Sequence, residues 1–596
     1  MTLPSEPAID DSKGSGGSKG SGGSGGSKQA GESGPSLWLG RLAGTQAQMG
    51  AQHGRLVARD AVRLFAMYRT MAERTLGGDL GAAGKLAIRA IATAWQARLV
   101  RDRPAELAAR TEAFLDAVTR EAGAVPRGAR YAFAVMDALQ NVVSLSARLH
   151  QGPFAGAVTA RGVAAAVPAC STAIAWGRAT HDGELWFGRN FDFPGVGIWD
   201  AAPAFVVCAP DRGQRYGFFA ARGADTPVVT VVNEAGLVMA PHTRWHRDVR
   251  FGGGSAMIVD LVHAIAARAE TIDDAIAIAR ERPVASSWGI AIGSARERTA
   301  CVLELAGRRV GVVRAAPGAD HLVCTNRYRS AALQPGELAA SHAWVIQPDR
   351  RERRLRALIE RRTAPLTPQD LARFLGDRLD PDDPSGAPRQ LGGVVAQALN
   401  VHCAVVAPGL RRAYAGIDRA PCCDGTWAEL GWDWDGPVGG WGLGAPASSG
   451  FRAGVAPGFA APHSEASRHV RDATAAYEAD HDAAAAGAAI ERAIGCAPAD
   501  PSLRLAAVWL ALEAGDRDRA IRHARAGLAH EVEPYRRGQL LLWGARAAAR
   551  RDEQLARQWR DELVTLSGDG VDELKAQARR RHRGTPHANL MMMDAY

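Results

Sequence analysis

Two stretches of the chain repeat their apolar residues with the period of an α-helix. In the first, between about 39 and 150, Ala61, Leu64, Phe65 and Tyr68 follow the spacing i, i+3, i+4 and i+7. Similar stripes run through KLAIRAIATAWQARLV and EAFLDAVTREA. A stripe of this spacing covers one face of a helix, which can then pack on a core. We therefore predict a helical segment in the first quarter of the protein.

The second helical stretch begins near residue 468. The pair Ala489-Ile490 returns as Ala520-Ile521, and a Pro-Ala-Asp-Pro run marks a connection between helices. This pattern resembles tetratricopeptide repeats, although the 31-residue separation is shorter than their usual period of about 34. Such repeats stack into a surface that can bind a partner or a second copy of the chain. No acid, base or nucleophile stands there in recognisable spacing, so we expect an accessory role.

Between the helical stretches the pattern changes to short β-rich runs. STAIAW, ELWFGRN, AFVVCA, PVVTVVN and GLVMA are separated by Gly and Asp turns. Two helical runs follow, GSAMIVDLVHAIAARAE and TIDDAIAIARER, and then the strand-like SWGIAIGSA, TACVLELAG and RVGVVRAA. Strands, a helix pair and further strands predict a layered α+β core.

The changes of pattern divide the chain into six predicted segments. Residues 12–28 consist only of Gly, Ser and Lys, a composition that buries nothing and predicts disorder. In chain order the segments are a disordered tail (1–38), a helical segment (39–169), the α+β core (170–420), an irregular Gly/Pro/Trp-rich segment (421–466), the tetratricopeptide-like repeats (467–565) and a second tail (566–596).

Composition and charge argue against several classes of function. The 596 residues carry a net charge of +9, but the arginines are dispersed, which argues against nucleic-acid binding. The eight cysteines form no C-x-x-C pair and no zinc spacing, and no P-loop or Rossmann fingerprint occurs. We therefore expect no metal and no cofactor. The opening MTLPSEPAIDDSK lacks the apolar core of a signal peptide, and no run approaches the ~18 apolar residues of a membrane helix, so we expect a cytoplasmic protein without a membrane span.

The most informative segment is PACSTAIAWGRATHDGELWFGRNFDFPG, residues 168–195. A cysteine precedes a Ser-Thr-led strand, a His-Asp-Gly turn leads to a second strand, and that strand ends in Gly-Arg-Asn-Phe-Asp. This resembles the N-terminal-nucleophile hydrolases around acyl-coenzyme A:6-aminopenicillanate acyltransferase (peptidase family C45), the choloylglycine hydrolases with the penicillin V acylases, and the acid ceramidase group. In those families the mature subunit begins with Cys-Thr or Cys-Ser and carries Gly-Arg-x-x-Asp on the adjoining strand.

The resemblance covers about residues 130–420 and implies a four-layer αββα sandwich with Cys170 as its nucleophile. By the same resemblance Arg189 and Asp192 lie beside that cysteine. Cys170 attacks the carbonyl of Ala169, and hydrolysis of the thioester frees its amine and leaves the upstream helical segment as a bound prodomain. The freed α-amino group, with a pKa of about 7.7 to 8.0, can act as the base that the thiol needs. Arg189 favours the thiolate, and Asp192 orients the thiol or the ammonium.

The resemblance also implies residues farther along the chain. Asn326, in HLVCTNRYRS, matches a Thr-Asn motif whose asparagine supports the nucleophile's amine or the oxyanion; a strand-end cap is the alternative. Asn233, in VVNEAGLVMA, matches an Asn-Glu-x-Gly-Leu turn, for which a hairpin turn and a binding role both stay open. His242 and Thr243 stand where the choloylglycine group has its oxyanion asparagine, and this departure argues against bile-acid hydrolysis.

Two charged positions complete the set of candidates. Glu304, in CVLEL, matches a recurrent strand carboxylate or else pairs with an arginine across the sheet. Arg350 or Arg351, in PDRRERRLRALIE, supplies the late arginine of the choloylglycine site or else lies on a solvated helix face.

These features predict an amidohydrolase that cuts linear N-acyl amides, other than peptides, through an acyl-enzyme. One alternative is an acyltransferase that moves an acyl group from an acyl-coenzyme A thioester to an amine. Another is a catalytically inactive scaffold that binds a partner through the repeats. The expected ligand is a small acyl amide or acyl thioester, and the expected macromolecular partner at the repeats is another protein or a second copy.

Overall fold

The computed structural model describes residues 37–77, 82–125, 129–150, 169–248, 254–435, 461–579, 586–591 and 593–595. The predicted disordered tail lies outside this part of the chain, except for its last two residues. Residues 436–460 of the predicted irregular segment and Pro168, just before the predicted cleavage site, also lie outside it.

Two sheets form the centre of the described structure. The larger contains, in spatial order, β1 (Trp38–Gly44), β4 (Pro203–Pro210), β5 (Tyr216–Ala221), β6 (Thr230–Asn233), β7 (Leu237–Thr243), β8 (Ser287–Ser294), β9 (Thr299–Ala306) and β10 (Arg309–Arg314). The smaller contains β11 (His321–Cys324), β2 (Ala169–Ala175), β3 (Trp186–Asp192), β12 (Asn400–Ala407), β13 (Arg412–Gly416) and β14 (Trp427–Gly431). The predicted α+β class is confirmed.

The two sheets pack face to face through apolar side chains. Ile174 and Phe187 of the smaller sheet share one buried cluster with Phe205 and Phe219 of the larger sheet. Successive side chains of a strand point to opposite faces, so each strand also presents residues to an outer layer. Both faces of the central strands are covered, and every residue of β2, β3, β6 and β7 is buried.

The outer face of each sheet is covered by a helix pair. α5 (Ile258–Arg268) and α6 (Ile272–Glu281) pack on the larger sheet. A capping box in which Thr271 and Asp274 bond each other's backbone N–H groups fixes the start of α6. α7 (Ala343–Glu360) and α8 (Pro368–Leu375) cover the smaller sheet.

The upstream segment contributes a strand in addition to the predicted helices. β1 runs parallel to β4 and forms the edge of the larger sheet. The helices are α1 (Gln46–Gly77), α2 (Ala82–Arg101), α3 (Ala105–Ala122) and α4 (Val135–His150). The buried guanidinium of Arg110 donates to Asp225 at 2.9 Å, and the ring of His53 contacts the same carboxylate at 2.8 Å. A buried charge is costly unless it is paired, so these contacts bind the segment to the larger sheet.

Among its described residues, the C-terminal part is helical apart from one short pair of antiparallel strands. Its helices are α9 (Ala461–Asp480), α10 (Ala483–Cys496), α11 (Pro501–Glu513), α12 (Arg517–Leu528), α13 (Pro534–Ala548), α14 (Glu553–Thr565) and α15 (Val571–Arg579), followed by β15 (Ala588–Asn589) and β16 (Asp594–Ala595). Each of α9 to α14 packs against the next helix. Their apolar cluster includes Ala343 and Leu391, so it continues into the α+β core. Among the described residues, no helix is both long enough and apolar enough to span a bilayer.

Candidate active site

The pairing of β2 with β3 assembles the motif that the sequence singled out. Cys170 lies opposite Phe191, Thr172 lies opposite Arg189, and Ala169 lies opposite Asp192. Cys170 is 1% exposed, and Arg189 and Asp192 are fully buried. Antiparallel register therefore brings together residues that are about twenty positions apart in the chain.

Three polar groups hold Cys170. Its Sγ accepts a hydrogen bond from Nη2 of Arg189 at 3.1 Å. Its backbone N–H, which becomes an α-amine if the chain is cut before it, donates to Oδ1 of Asn326 at 2.9 Å. Its carbonyl oxygen accepts from Nη1 of Arg351 at 2.7 Å. The thiol, the nitrogen and the carbonyl of one residue thus each have a defined partner.

Of the two candidate late arginines, Arg351 contacts the residues around Cys170 and Arg350 does not. Besides the carbonyl of Cys170, Arg351 contacts Oγ of Ser171 at 2.8 Å and Oδ1 of Asn326 at 2.9 Å. Arg350 instead donates to Asp382 at 2.7 Å and to Glu533 at 2.8 Å. Consecutive helix residues point about 100° apart, so two adjacent arginines of α7 serve two different surfaces. Both are buried, which does not agree with a solvated helix face.

Asp192 depends on a residue that the sequence did not indicate. Its Oδ1 accepts from Nδ2 of Asn400 at 2.9 Å, and Oδ1 of Asn400 accepts from the backbone N–H of Cys423 at 2.9 Å. Asn400 pairs with Asp192 across the β3–β12 ladder, 208 residues away in the chain. Only the sheet register connects them, and no local motif marks Asn400.

Burial governs the protonation of this site. It raises the pKa of Asp192 to about 6, although Arg351, Asn400 and Arg189 oppose the shift. Burial also raises the pKa of the Cys170 thiol, and the charge of Asp192 adds to this, while Arg189 and Arg351 oppose it. The internal cysteine is therefore a thiol near neutral pH and needs a base to become a nucleophile.

His242 and Thr243 lie next to these groups. Nε2 of His242 is 2.9 Å from Oγ1 of Thr172 and 3.0 Å from Nη1 of Arg189. Burial, with the charges of nearby arginines, lowers the pKa of His242 well below its usual value, so the ring is neutral. Thr243 accepts both hydrogen bonds of the Asn326 amide group, at 2.9 Å through its carbonyl and at 3.0 Å through its hydroxyl. Because Thr243 binds the amide nitrogen of Asn326, it keeps Oδ1 of Asn326 directed at the backbone N–H of Cys170.

Asn233 and Glu304 have other described contacts. Asn233 donates to the carbonyl of Ala269 at 2.8 Å and accepts from the N–H of Leu237 at 2.9 Å, so it fixes the β6–β7 turn against α5. Glu304 forms a buried ion pair with Arg244 and accepts from the N–H of Arg329 at 2.8 Å. None of these contacts involves the cysteine, arginine, aspartate or asparagine of the site.

Two cavities lie near the site strands. A small apolar pocket between the upstream helices and the larger sheet is lined by Phe65, Phe114, Met136 and Trp199, among others. Trp199 packs edge-on against Phe191, the residue opposite Cys170. A second cavity of about 530 Å³ opens beside Cys324 and Thr325, the two residues before Asn326. It is lined by five arginines (Arg244, Arg327, Arg329, Arg353 and Arg356) and three carboxylates (Glu304, Asp349 and Glu352).

Comparison with known proteins finds similarity over the part of the chain that contains most of these residues. Residues 178–401 match the family model described as acyl-coenzyme A:6-aminopenicillanic acid acyl-transferase. The matched segment contains Arg189, Asp192, Asn326 and Arg351 and begins eight residues after Cys170. Among solved structures, a Caenorhabditis elegans N-acylethanolamine-hydrolyzing acid amidase ortholog is similar, with a TM-score of 0.30, 15% identity, and coverage of 40% of this chain and 94% of that chain. No curated protein gives a significant match.

Proposed function

We propose that this protein is a cysteine N-terminal-nucleophile amidohydrolase that activates itself by cutting before Cys170 and then hydrolyses linear N-acyl amides. The proposal rests mainly on three hydrogen bonds to Cys170. Its thiol accepts from Arg189, its backbone N–H donates to Asn326, and its carbonyl accepts from Arg351. A cysteine that is only a small buried hydrophobe needs no guanidinium at its thiol, and its backbone N–H and C=O could be satisfied by other backbone groups instead of by Asn326 and Arg351. The two stacked sheets with outer helices agree with the proposed αββα sandwich.

In the self-cleavage step, the thiolate of Cys170 attacks the carbonyl carbon of Ala169. The C–N bond breaks, the nitrogen takes a proton, and a thioester joins the two parts of the chain. Water then attacks the thioester, which releases a carboxylate on Ala169 and returns the thiol of Cys170. Arg189 stabilises the thiolate, and Asp192, with a pKa of about 6, is ionised at neutral pH and can accept the proton.

In the proposed turnover step, the new α-amine takes the proton of the thiol. Oδ1 of Asn326, already 2.9 Å from this nitrogen, orients the amine. The amide nitrogen of Asn326 is engaged by Thr243, so in this state Asn326 positions the amine and does not face an oxyanion. The thiolate attacks the acyl carbonyl, the amine of the substrate leaves with a proton, and water hydrolyses the acyl-enzyme.

The surroundings support an acyl substrate. The apolar pocket beside Trp199 borders the aromatic residues that pack next to Cys170, and its volume of about 40 Å³ would take the end of a hydrocarbon chain. Upstream helices and the larger sheet both contribute to its wall. The upstream segment would therefore stay bound after cleavage as part of the substrate site.

The arginine-rich cavity favours acyl transfer as a second candidate function. A coenzyme A thioester carries phosphates, and arginine is well suited to bind them. The cavity is large enough for part of such a group and adjoins Thr325, next to Asn326 in the chain. An acyl-coenzyme A donor would bind there, and an amine would replace water as the acceptor. An inactive scaffold would use neither the site contacts nor the cavity.

We also propose that α9 to α14 are tetratricopeptide-like pairs that offer a surface to a protein partner or a second copy. The stacking of each helix on the next supports this. The expected association is independent of the reaction at Cys170.

The deciding experiment measures the intact mass and the N-terminal sequence of the purified protein. The expected result is two associated chains, one beginning at Cys170, and a single uncut chain for Cys170→Ala. Cys301→Ala, another buried cysteine outside the site, serves as the control and should cut normally. Cleaved protein recovered from Cys170→Ala would overturn the assignment. Release of amine from N-acyl amides then measures hydrolysis, whereas release of free coenzyme A from acyl-coenzyme A together with formation of an amide from an added amine measures transfer.

A further inference from the structure

Three potential metal ligands meet between two helices of the C-terminal part, away from the candidate active site. Glu465 and His469 lie on α9, and Cys496 is the last residue of α10. One carboxylate oxygen, one ring nitrogen and the Sγ atom all lie within 4.8 Å of one another. Glu465 and His469 are four positions apart, so they lie on the same face of α9. α10 packs along α9 and brings Cys496 to that face.

We propose that Glu465, His469 and Cys496 form a zinc site. Oxygen, imidazole nitrogen and thiolate sulfur are the three ligand types that Zn²⁺ takes from proteins, with bonds of about 2.0 to 2.3 Å. Tetrahedral geometry then separates the ligand atoms by roughly 3.3 to 3.8 Å. Because the three atoms already lie within 4.8 Å of one another, side-chain movements of about 1 Å would bring them to this spacing. The mixture of one soft and two harder ligands disfavours Mg²⁺ and Ca²⁺, which prefer oxygen alone.

The exposure of the three residues agrees with metal entry from solvent. Glu465 is exposed, and His469 and Cys496 are half-buried. Three protein ligands leave a fourth position open to water. Nδ1 of His469 is shielded from solvent and has no hydrogen-bond partner within the described part of the chain. A ring nitrogen in this state is unfavourable, because it has lost water without gaining another partner.

The proposed ion would fix α9 to α10, and α9 contacts the core at two points. Ser467, between the two ligands, donates to Gln390 at 2.8 Å. Farther along α9, the carboxyl of Glu478 accepts from the N–H of Gly195 at 3.2 Å. Gly195 follows the site residue Asp192 by three positions. Zinc would therefore stabilise the helix that docks on the loop after β3.

No local motif indicates this site, because Cys496 follows His469 by 27 positions and the three residues lack the ligand spacing of a zinc finger. A glutamate four positions before a histidine is common on helices that bind no metal, so this pair alone does not indicate a site. Only the packing of α10 on α9 supplies the third ligand.

The test uses the full-length protein, stripped with a chelator and titrated with ZnCl₂. We expect one Zn²⁺ per chain by native mass spectrometry and a higher melting temperature with zinc. Co²⁺ in place of zinc should give the near-ultraviolet absorption of a sulfur–cobalt bond. His469→Ala and Cys496→Ala should each weaken zinc binding by more than the roughly 10–100-fold that loss of an outer partner costs. His530→Ala, an exposed histidine on another helix end, is the matched control and should bind normally.

Several outcomes would overturn the proposal. They are absence of stoichiometric zinc, a Co²⁺ spectrum without the sulfur band, or unchanged affinity in either variant. Glu465→Gln, at an exposed position, is the further variant if a truncation to alanine unfolds the protein, and it too should weaken binding. All measurements can be repeated in Cys170→Ala, because the zinc site does not depend on the proposed catalysis. Failure of zinc binding therefore leaves the amidohydrolase proposal intact.

Discussion

At the scale of single residues, Asp192 combines a functional position with a cost in stability. Burial raises its pKa from 3.8 to about 6, so the folded protein disfavours the carboxylate that the proposed chemistry uses. A shift of about two units corresponds to roughly 3 kcal/mol. The cost is absent below pH 3.8, where the group is protonated in both states, grows as the pH rises, and is complete above pH 6.

Asp192→Asn should therefore be more stable than the parent protein at pH 7.5 and similar to it at pH 4. The amide mimics the protonated acid and can still accept from Asn400. We expect a gain of about 1 to 3 kcal/mol in the free energy of unfolding, together with a large loss of turnover. Urea denaturation at both pH values measures the free energy of unfolding, and initial rates measure turnover. A variant that is less stable at pH 7.5 would show that the carboxylate mainly supports the fold.

The same shift predicts the acid limb of self-cleavage. If ionised Asp192 accepts the proton of the Cys170 thiol, the rate of self-cleavage should fall as the pH drops through about 6, where the carboxylate takes up a proton. The unperturbed carboxyl value of 3.8 would place this limb about two units lower. Cleavage rates of the uncut chain across a pH series, with stability checked at each pH, distinguish the two.

Arg351→Lys should be much more harmful than its retained charge suggests. The guanidinium contacts the carbonyl of Cys170 and the oxygen of Asn326 with two different nitrogens, and one ammonium cannot reach both in the same geometry. We expect self-cleavage and turnover to slow by roughly 10²-fold, as for loss of a preorganised donor. Arg373→Lys, on the surface of α8, is the control. Equal rates of self-cleavage and turnover in both variants would show that Arg351 has no role in the reaction.

At the scale of elements, α7 links the candidate site to the C-terminal helices. Arg351 faces Cys170, while Arg350 joins a buried group of charges that includes Asp380 and Glu533. Arg536 of α13 completes this group through Asp380 and Glu531. The position of Arg351 therefore depends on contacts from a different part of the chain.

Glu533→Gln should destabilise the protein by about 1.5 to 3 kcal/mol, because it weakens one charge-assisted hydrogen bond of buried Arg350 while Asp380 and Asp382 still compensate the charge. The matched control is Glu553→Gln, which loses only an exposed pair with Arg557 and should cost less than about 0.5 kcal/mol. Denaturant unfolding measures both. A Glu533 variant as stable as the control would show that the buried pair contributes nothing net. Slower self-cleavage in the Glu533 variant at low denaturant would indicate that the network also positions α7.

At the scale of the whole molecule, the C-terminal helices are not separated from the core. They share an apolar cluster and the buried charges with α7 and the segment before β12. A chain ending near Gly450 would expose that apolar surface and leave Arg350 without Glu533. We expect such a chain to aggregate or to melt well below the full-length protein, and to cut itself slowly. Normal solubility and cleavage of this shorter chain would instead support a purely accessory role.

The class of fold and the strand that carries the candidate nucleophile could be predicted from the amino-acid sequence alone. Alternation and apolar runs depend on local geometry, so β2, β3 and the helix pair α5–α6 could be recognised from short windows. The resemblance indicated Cys170, Arg189, Asp192 and Asn326, and the structure brings these four together. Their catalytic roles remain predictions.

The distant groups that join these four residues could be identified only in the folded chain. Asn400 lies beside Asp192 because the two residues pair across neighbouring strands. Arg351 contacts Cys170 and Arg350 does not, because the two arginines point to different sides of α7. The strand β1 also escaped prediction, because its single short run pairs with a partner more than 150 residues away. Periodicity reports how a segment is buried, whereas register and packing arise from contacts between segments, and a local pattern does not contain them.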